Sequence, residues 1–255
     1  MQTEQNKRKG LLPFWRDIAR EAGKLLFPPA CAVCDELLRD RHALVCASCL
    51  ASLPWVEEPV CMVCGRPLQD MRKEKCSACE TRQMNFDVGK STFLYKGGIR
   101  EAVLRMKFSN RRDHLDFFAW SMARVNAGWI RRMSPAVFVP VPMHRKKRRE
   151  RGYDQCALLT DKLSRLTGVP VAGGLLERVR YTRPQKGLNA RERVRNLQGA
   201  FRVSGTLPAG RTFILVDDIY TTGTTIDEAA RVLKAAGAEK ICCLTLCTQQ
   251  DAGEV

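Results

Sequence analysis

FILVDDIYTTGTT, residues 213–225, decides the fold of this chain. Its first four residues, 213–216, have the length and the β-branched content of a buried strand. Two carboxylates, Asp217 and Asp218, come next, and a hydroxyl-rich loop around Gly223 leads into a helix. Carboxylates accept hydrogen bonds from sugar hydroxyls, and a glycine loop before a helix N-terminus favours a phosphate. The stretch therefore predicts a ribose 5-phosphate site; the alternative is a Mg²⁺-binding or merely solvated carboxylate pair.

Apolar segments around this stretch alternate between the periods of strands and helices. Strands are predicted near 86–95, 137–141, 175–181, 213–216 and 241–246, and helices near 99–107, 115–133, 157–166 and 226–236. Such alternation is typical of a mainly parallel sheet flanked by helices. We therefore expect an α/β domain over 86–250.

The composition limits the partners and the location of the protein. The 255 residues carry a net charge of +16, which favours phosphorylated metabolites or nucleic acid without choosing between them. No apolar run of about eighteen residues is present, so no spanning helix is expected. The first residues lack an apolar signal region and a small-residue cleavage site, so the predicted location is cytoplasmic.

Eight of the twelve cysteines form four CxxC pairs, with eleven residues between each pair and the next. Two such pairs complete a closed tetrahedral Zn²⁺ site, so the spacing predicts two structural zinc ions in a reducing compartment. Equal gaps allow sequential or interleaved pairing. Sequential pairing is favoured, because shorter loops cost less to close and Gly65 suits a turn that opens a second ribbon. The expected ligands are Cys31, Cys34, Cys46 and Cys49 in one site and Cys61, Cys64, Cys76 and Cys79 in the other.

The double zinc-ribbon module is expected over 31–82, after an N-terminal segment, 1–30. The other four cysteines lie in apolar patterns and are predicted to be core residues: Cys156, Cys242, Cys243 and Cys247. Within the N-terminal segment, residues 10–27 have one apolar face at helical spacing. This helix is expected to pack on the protein's own core; the alternative, which the cations just upstream support, is contact with a membrane surface or a partner.

Two basic segments flank the strand predicted at 175–181. The first, MHRKKRRERG over 143–152, holds six cations within seven residues. The second, TRPQKGLNARERVRN, covers 182–196. A charge run by itself is typical of a solvated face or a mobile surface loop, and anion binding is the alternative.

In this order, the motifs resemble ComF-type proteins, the competence protein F family with its GntX-like members. The resemblance rests on the CxxC module and on three segments, VPVPMHRKKRRERGYDQ, TRPQKGLNARERVRNLQGAF and VDDIYTTGTT. The last of these is similar to the loop that binds phosphoribosyl pyrophosphate (PRPP) in type I phosphoribosyltransferases. The resemblance implies a zinc-ribbon module fused to a type I phosphoribosyltransferase fold, with Mg²⁺ accompanying PRPP.

The resemblance also implies roles for individual residues. Asp217 and Asp218 would bind the ribose 2′ and 3′ hydroxyls. The 5′-phosphate would lie among Thr221, Thr222, Gly223, Thr224 and Thr225. A pyrophosphate segment, expected to be a loop after the first core strand, would use Met143, His144, Arg145, Arg151 and Gly152. A flexible loop between the second and third core strands would close over the reacting centre, with candidate catalytic cations Arg183, Lys186 and Arg193.

Two functions stay open on the sequence. One is a ComF-like protein that binds PRPP and handles DNA, since the family is linked to natural competence and to the uptake of single-stranded DNA, and basic surfaces gain affinity for nucleic acid by counterion release. The other is an active phosphoribosyltransferase that releases pyrophosphate from PRPP. No nucleophilic N-terminal cysteine or glutaminase domain is expected, so a glutamine amidotransferase is not predicted. A hood for an acceptor base could come only from the zinc module and residues 86–108.

Overall fold

The computed structural model describes residues 29–182 and 190–250, and it divides the chain after Ser52 into two units. The helix expected over 10–27, as well as Arg183 and Lys186, lies outside the described residues. In the part of the chain that is described, no helix is both long enough and apolar enough to cross a bilayer.

The first unit carries the first zinc ribbon. An isolated antiparallel bridge joins Ala30 to Leu37, and Cys31 N donates to Glu36 O at 2.7 Å. The short helix α1 (Ala47–Ala51) begins directly after the third cysteine of the cluster. These contacts hold a tight knuckle around the first CxxC pair.

The second ribbon, in the second unit, repeats this backbone 30 residues later. The equivalent bridge joins Val60 to Pro67, and Cys61 N donates to Arg66 O at 2.7 Å. The helix α2 (Ser77–Thr81) again follows the third cysteine. The regular cysteine spacing therefore corresponds to a structural repeat.

The centre of the second unit is a sheet of four parallel strands. The strands described along the chain are β1 (Val88–Leu94), β2 (Ala136–Pro140), β3 (Leu176–Arg178), β4 (Phe201–Val203), β5 (Thr212–Tyr220) and β6 (Lys240–Thr248). The sheet has the order β1-β6-β5-β2, and the central pair aligns Val216 of β5 with Leu244 of β6. The residues of β5 that precede its carboxylates are all buried, as expected for a central parallel strand.

Helices flank this sheet and fill its core. Those described are α3 (Gly97–Phe108), α4 (His114–Arg132), α5 (Arg145–Arg151), α6 (Gln155–Thr167), α7 (Ala190–Leu197) and α8 (Thr224–Ala235). Local sequence explains their ends: Asp154 caps α6 by accepting from Ala157 N at 3.1 Å, and Gly168 ends it with φ 76°. The mainly parallel α/β fold expected from the sequence is confirmed, and the four cysteines outside the CxxC pairs are buried as predicted.

The structure corrects two expectations about the basic half of the chain. The run 175–181 does not form a strand of the parallel sheet, because β3 pairs antiparallel with β4 in a separate two-stranded sheet. The pyrophosphate segment is not an open loop over 145–151 but the helix α5, which His144 caps by accepting from Lys146 N at 3.2 Å. Lys and Arg favour helices, so a run of these residues can form a helix when a capping residue precedes it and a glycine follows it.

Candidate functional site

A cavity of about 610 Å³ opens where β2 and β5 end. The carboxyl ends of parallel strands are where open α/β sheets bind their ligands. Its lining comes from several elements and includes Tyr95, Arg100, Leu104, Lys107, Met143, Lys147, Arg151, Gln155, Cys156, Arg178, Arg193, Asp217, Asp218, Thr221, Thr225 and Gln249. Segments distant in the sequence therefore meet at one polar cavity.

Asp218 lies inside this cavity with only 7% of its surface exposed. Its Oδ2 accepts from Gln155 Nε2 at 2.8 Å and pairs with Lys107 Nζ at 2.9 Å. Burial opposes ionisation, but the charge and hydrogen bond of Lys107 and the hydrogen bond of Gln155 hold the pKa of Asp218 below its usual value. Burial likewise works against the charge of Lys107, and the carboxylate of Asp218 raises the pKa of Lys107 despite it. Asp218 is therefore an ionised acceptor.

Asp217 is next in sequence but has a different electrostatic environment. Its Oδ1 accepts from Asp218 N at 2.8 Å and from Cys156 Sγ at 3.3 Å. Burial and the neighbouring charge of Asp218 raise the pKa of Asp217 to about 7. The pair thus combines one ionised carboxylate with one that titrates near neutral pH.

The donor set of this pair suits Mg²⁺. Oxygens of Asp217 and Asp218 lie within 4.8 Å of each other and of Cys156 Sγ. Mg²⁺ prefers carboxylate oxygen to sulfur, and burial raises the pKa of the Cys156 thiol well above its ordinary value. The two carboxylates, rather than the thiol, are therefore the groups that fit such an ion.

The loop over 221–225 connects β5 to α8 in a conformation that needs glycine. Gly223 has φ 74°, and a Cβ there would overlap the ring and hydroxyl of Tyr220. The hydroxyls of Thr222 and Thr224 are 2.8 Å apart, and Thr221 and Thr225 line the cavity. Its last two residues, Thr224 and Thr225, begin the twelve-residue α8, where backbone N–H groups favour an anion.

The predicted pyrophosphate residues separate into two groups. Met143 and Arg151 line the cavity, and Arg151 Nη1 donates to Gln155 Oε1 at 2.6 Å. His144 instead packs edge-on against the ring of Tyr181, with 5.2 Å between the ring centroids. Arg145 and Gly152 are at the two ends of α5 and do not line the described cavity. Of the predicted flexible-loop cations, Arg193 lines the cavity.

The polar residues of the cavity that the sequence did not identify include Arg100, Lys107, Gln155 and Arg178. Lys107 and Gln155 both contact Asp218 directly. Gln155 is the last residue of the quoted motif ending GYDQ, so its position beside the pyrophosphate segment was the available signal. Lys107 is in the last turn of α3, where a cation is also the ordinary helix-end residue, and nothing in the sequence distinguishes the two.

The cysteines form two compact four-sulfur clusters with the sequential grouping. Within each, the sulfurs lie within 4.8 Å of one another; Cys34 and Cys46 Sγ are 3.8 Å apart, and Cys64 and Cys76 Sγ are 3.6 Å apart. A tetrahedral ion with Zn–S bonds of about 2.3 Å requires sulfurs about 3.8 Å apart. Both clusters therefore fit structural zinc with no open coordination position.

Comparison with known proteins agrees with both parts of the chain. The double zinc ribbon domain model matches residues 22–80, and the phosphoribosyl transferase domain model matches residues 155–255.

Three relatives illustrate the similarity. Competence protein F of Haemophilus influenzae is 38% identical over 109 residues, which are 42% of this chain and 48% of the relative. DNA utilization protein YhgH of Escherichia coli K12 is 39% identical over 114 residues, 44% of this chain and 49% of the relative. Competence protein ComFC of Bacillus subtilis is 25% identical over 151 residues, 58% of each chain. The chain thus spans about half the length of the curated relatives it matches.

Proposed function

We propose that this chain is a ComF-family protein with a phosphoribosyltransferase domain and a double zinc ribbon, and that its cavity binds PRPP or a related ribose 5-phosphate with Mg²⁺. The observation that carries the proposal is the carboxylate pair Asp217–Asp218 at the end of the central strand, inside a cavity of about 610 Å³. That volume is in the range of sites that enclose a small molecule.

Each part of the ligand has matching chemistry nearby. The ionised Asp218 accepts from a ribose hydroxyl, and Asp217 accepts from the other. The 5′-phosphate lies in the loop 221–225 beside the α8 N-terminus. Pyrophosphate meets cations that line the same cavity, among them Lys147, Arg151 and Arg178. Mg²⁺, when bound, neutralises charge on the diphosphate.

The test is calorimetric titration of PRPP with Mg²⁺ into wild type, Asp218→Asn and Asp161→Asn. Asp218→Asn keeps the shape but loses the charge that accepts from the ribose, so we expect affinity at least about tenfold weaker. Asp161 is an exposed residue of α6 and serves as the matched control with unchanged affinity. Wild-type protein that binds no PRPP overturns the proposal.

The pKa of Asp217 gives the binding reaction a pH signature. With a pKa of about 7, Asp217 is about half protonated at pH 7 before the ligand arrives. Hydroxyl donors and Mg²⁺ favour the carboxylate, so binding releases roughly half a proton from it and strengthens as the pH rises from 6 to 8. Calorimetry in buffers of different ionisation enthalpy measures the release. Asp217→Asn removes the proton release that comes from this carboxyl group. The release that is still measured then comes from the phosphates of the ligand.

Turnover is the second property to test at the same cavity. Arg193 and Lys107 are cations that could stabilise departing pyrophosphate, together with Arg183 and Lys186 of the predicted flexible loop. Pyrophosphate release from PRPP, measured across a panel of bases and amines, identifies an active phosphoribosyltransferase. PRPP binding without release with any acceptor supports a binding protein instead.

Two exposed aromatic side chains, each beside a cation of α5, also support a role with single-stranded DNA. Phe108 is 73% exposed with the Arg151 guanidinium 5.3 Å from its ring centroid, and Tyr181 is 44% exposed with Lys146 Nζ at 5.0 Å. Aromatic rings interleaved with cations bind single strands by stacking and phosphate contact. The names of the relatives, which refer to competence and to DNA utilization, favour the same role.

Fluorescence anisotropy with a labelled single-stranded oligonucleotide tests this second function. The double variant Phe108→Ala/Tyr181→Ala loses two stacking platforms, so we expect affinity at least about tenfold weaker. Leu166→Ala removes an exposed apolar side chain from α6 and is the control. Wild-type binding that is absent, or that does not weaken with salt, contradicts a DNA-handling role.

Contact with the competence machinery, a cytoplasmic location and peripheral membrane contact through residues 10–27 are parts of the same proposal. Co-sedimentation with anionic vesicles tests the membrane contact. If the helix predicted from the sequence contacts the membrane, binding should fall in Trp15→Ser, which replaces an apolar residue of its predicted apolar face.

A further inference from the structure

The second zinc ribbon packs closely on β1. Gly89 N, in β1, donates to Val63 O at 2.7 Å, and a Cβ on Gly65 would overlap Gly89 O. The four cysteines of this ribbon belong to the same buried cluster as Tyr220 and Ile226, which flank the loop 221–225. The ribbon and the phosphate loop are therefore parts of one packed core.

Arg66, two residues after Cys64, connects the ribbon to the beginning of that loop. Its guanidinium donates to Thr221 O and lies 5.7 Å from the centroid of the Tyr220 ring. The Tyr220 ring occupies the space where a Cβ on Gly223 would be. Arg66 thus contacts the first residue of the loop and the aromatic ring beneath its glycine.

Asp227, in the first turn of α8, connects the other end of the loop to the ribbon. Its Oδ2 pairs with Arg82, three residues after Cys79. Its Oδ1 accepts from Asn85 N at 2.7 Å and from Asn85 Nδ2 at 3.1 Å. Asp227 N in turn donates to Gly223 O at 2.8 Å. The loop is held at both ends by side chains that directly follow zinc-ligand pairs.

We propose that the second zinc ribbon is a positioning device for the 5′-phosphate loop, with Arg66 as its principal positioning residue. Zinc held by Cys61, Cys64, Cys76 and Cys79 fixes the backbone that carries Arg66 and Arg82. These two side chains fix the start and the end of the loop, whose N–H groups must converge on a phosphate. The inference rests on the proposed function, because it assigns the control of phosphate affinity to a ribbon outside the cavity.

Charge and position support assigning this role to the second ribbon alone. At the position equivalent to Arg66, 30 residues earlier, the first ribbon has Glu36, and at the position equivalent to Arg82 it has Ser52. An ionised Glu36 has no donor for a carbonyl, and the neutral Ser52 cannot form the ion pair that Arg82 makes with Asp227; Ser52 Oγ donates to Ser48 O at 3.0 Å within its own ribbon. The two ribbons therefore share a backbone, but only the second has arginines at the positions that contact the loop 221–225 and Asp227.

The test compares Arg66→Met, Arg66→Lys and Arg72→Met in the full chain, with ribose 5-phosphate and inorganic pyrophosphate as separate calorimetric probes. Arg66→Met loses the bond to Thr221 O, so ribose 5-phosphate should bind about tenfold weaker while pyrophosphate affinity is unchanged. Arg66→Lys keeps one donor and should recover part of the loss. Arg72, an exposed arginine of the same ribbon paired with Asp70, is the matched control and should change neither affinity.

A second pair of variants tests the zinc itself. Cys64→Ser and Cys34→Ser each remove one ligand from one ribbon, and zinc content is measured beside ribose 5-phosphate affinity. Only Cys64→Ser should weaken the affinity. Equal loss in both variants contradicts the assignment to the second ribbon.

The outcomes separate the two proposals. If wild type binds neither probe, the proposed function fails and this inference fails with it. If wild type binds ribose 5-phosphate and Arg66→Met binds it equally well, the cavity function stands and the positioning role is wrong. If Arg66→Met loses affinity for both probes equally, Arg66 supports the fold in general, which also overturns a role specific to the phosphate loop.

Discussion

The two zinc ribbons have the same backbone and different surroundings. In the first, Cys34 is exposed, and Cys46 and Cys49 are half-buried. In the second, all four cysteines are buried within the core that also holds the strand and helix of the candidate site. The repeated cysteine spacing therefore indicates only that both ribbons bind zinc with the same geometry. The role of each ribbon is indicated by its burial and its side-chain contacts.

The two ribbons also differ at the residue that follows their second cysteine. Asp35 and Gly65 both have positive φ, 68° and 71°, so this turn accepts a residue other than glycine. A Cβ on Gly65 would overlap another backbone, that of Gly89 and Lys90, whereas Asp35 carries a Cβ at the equivalent position. The knuckle conformation alone does not require glycine, and close packing on β1 does.

The largest expected difference follows from removing one zinc ligand in each ribbon. Cys64→Ser opens a buried site in the main core, so we expect a loss of at least about 3 kcal/mol and a fall in Tm of about 10 °C. Cys34→Ser should remove one equivalent of zinc and leave the main transition within about 2 °C. Differential scanning calorimetry with zinc analysis measures both. Equal shifts in Tm would mean that burial does not distinguish the ribbons.

A smaller effect is expected when the packing of Gly65 is challenged. Gly65→Ala adds the strain of a positive φ and a Cβ that overlaps Gly89 O and lies 2.9 Å from Lys90 Cα, so we expect a loss of about 2–4 kcal/mol. The control is Gly210→Ala, where φ is 63° and no heavy atom lies within 4 Å of the added Cβ. That change should cost only about 1 kcal/mol. Denaturant unfolding gives both values, and equal losses would contradict a packing role.

The parts of this comparison that depend on local sequence could be predicted. CxxC spacing identified the eight zinc ligands, because two residues between cysteines let both converge on one ion, and the sequential grouping followed from the lower cost of closing shorter loops. The run FILV followed by two aspartates was sufficient for β5, since an apolar stretch of that length must be buried.

What escaped prediction depends on contacts between distant segments. Leu175 and Leu176 are buried, but β3, which begins at Leu176, pairs antiparallel with β4, and a short apolar run does not specify its partner strand. Lys107 reaches Asp218 from more than a hundred residues away, and Arg66 reaches Thr221 across a similar distance. Their positions in the sequence are those of ordinary surface cations, so only the fold identifies their roles.

A moderate effect is expected where Asp227 meets the second ribbon. Asp227→Asn keeps an acceptor for Asn85 but loses the charge paired with Arg82, and it should cost about 1–2 kcal/mol, because the carboxylate is largely buried. Glu80→Gln is the control from the same ribbon, since Glu80 and Lys73 form an exposed pair 3.9 Å apart and should contribute no more than about 0.5 kcal/mol. Urea unfolding measures both changes. A loss for Asp227→Asn no larger than that of Glu80→Gln would mean that this contact does not fasten the ribbon.

The smallest effect is expected in the first ribbon, at the residue equivalent to Gly65. Asp35→Gly relieves the strain of a positive φ but increases the conformational freedom of the unfolded chain, so the two contributions nearly cancel to within about 0.5 kcal/mol. Competition with a chromophoric chelator measures zinc retention by the first site, and about twofold is the largest change we expect. A loss of zinc retention well beyond twofold would mean that Asp35 also has a packing or ligand-orienting role. An unchanged site would leave the contact with β1 as the reason why the second ribbon has glycine.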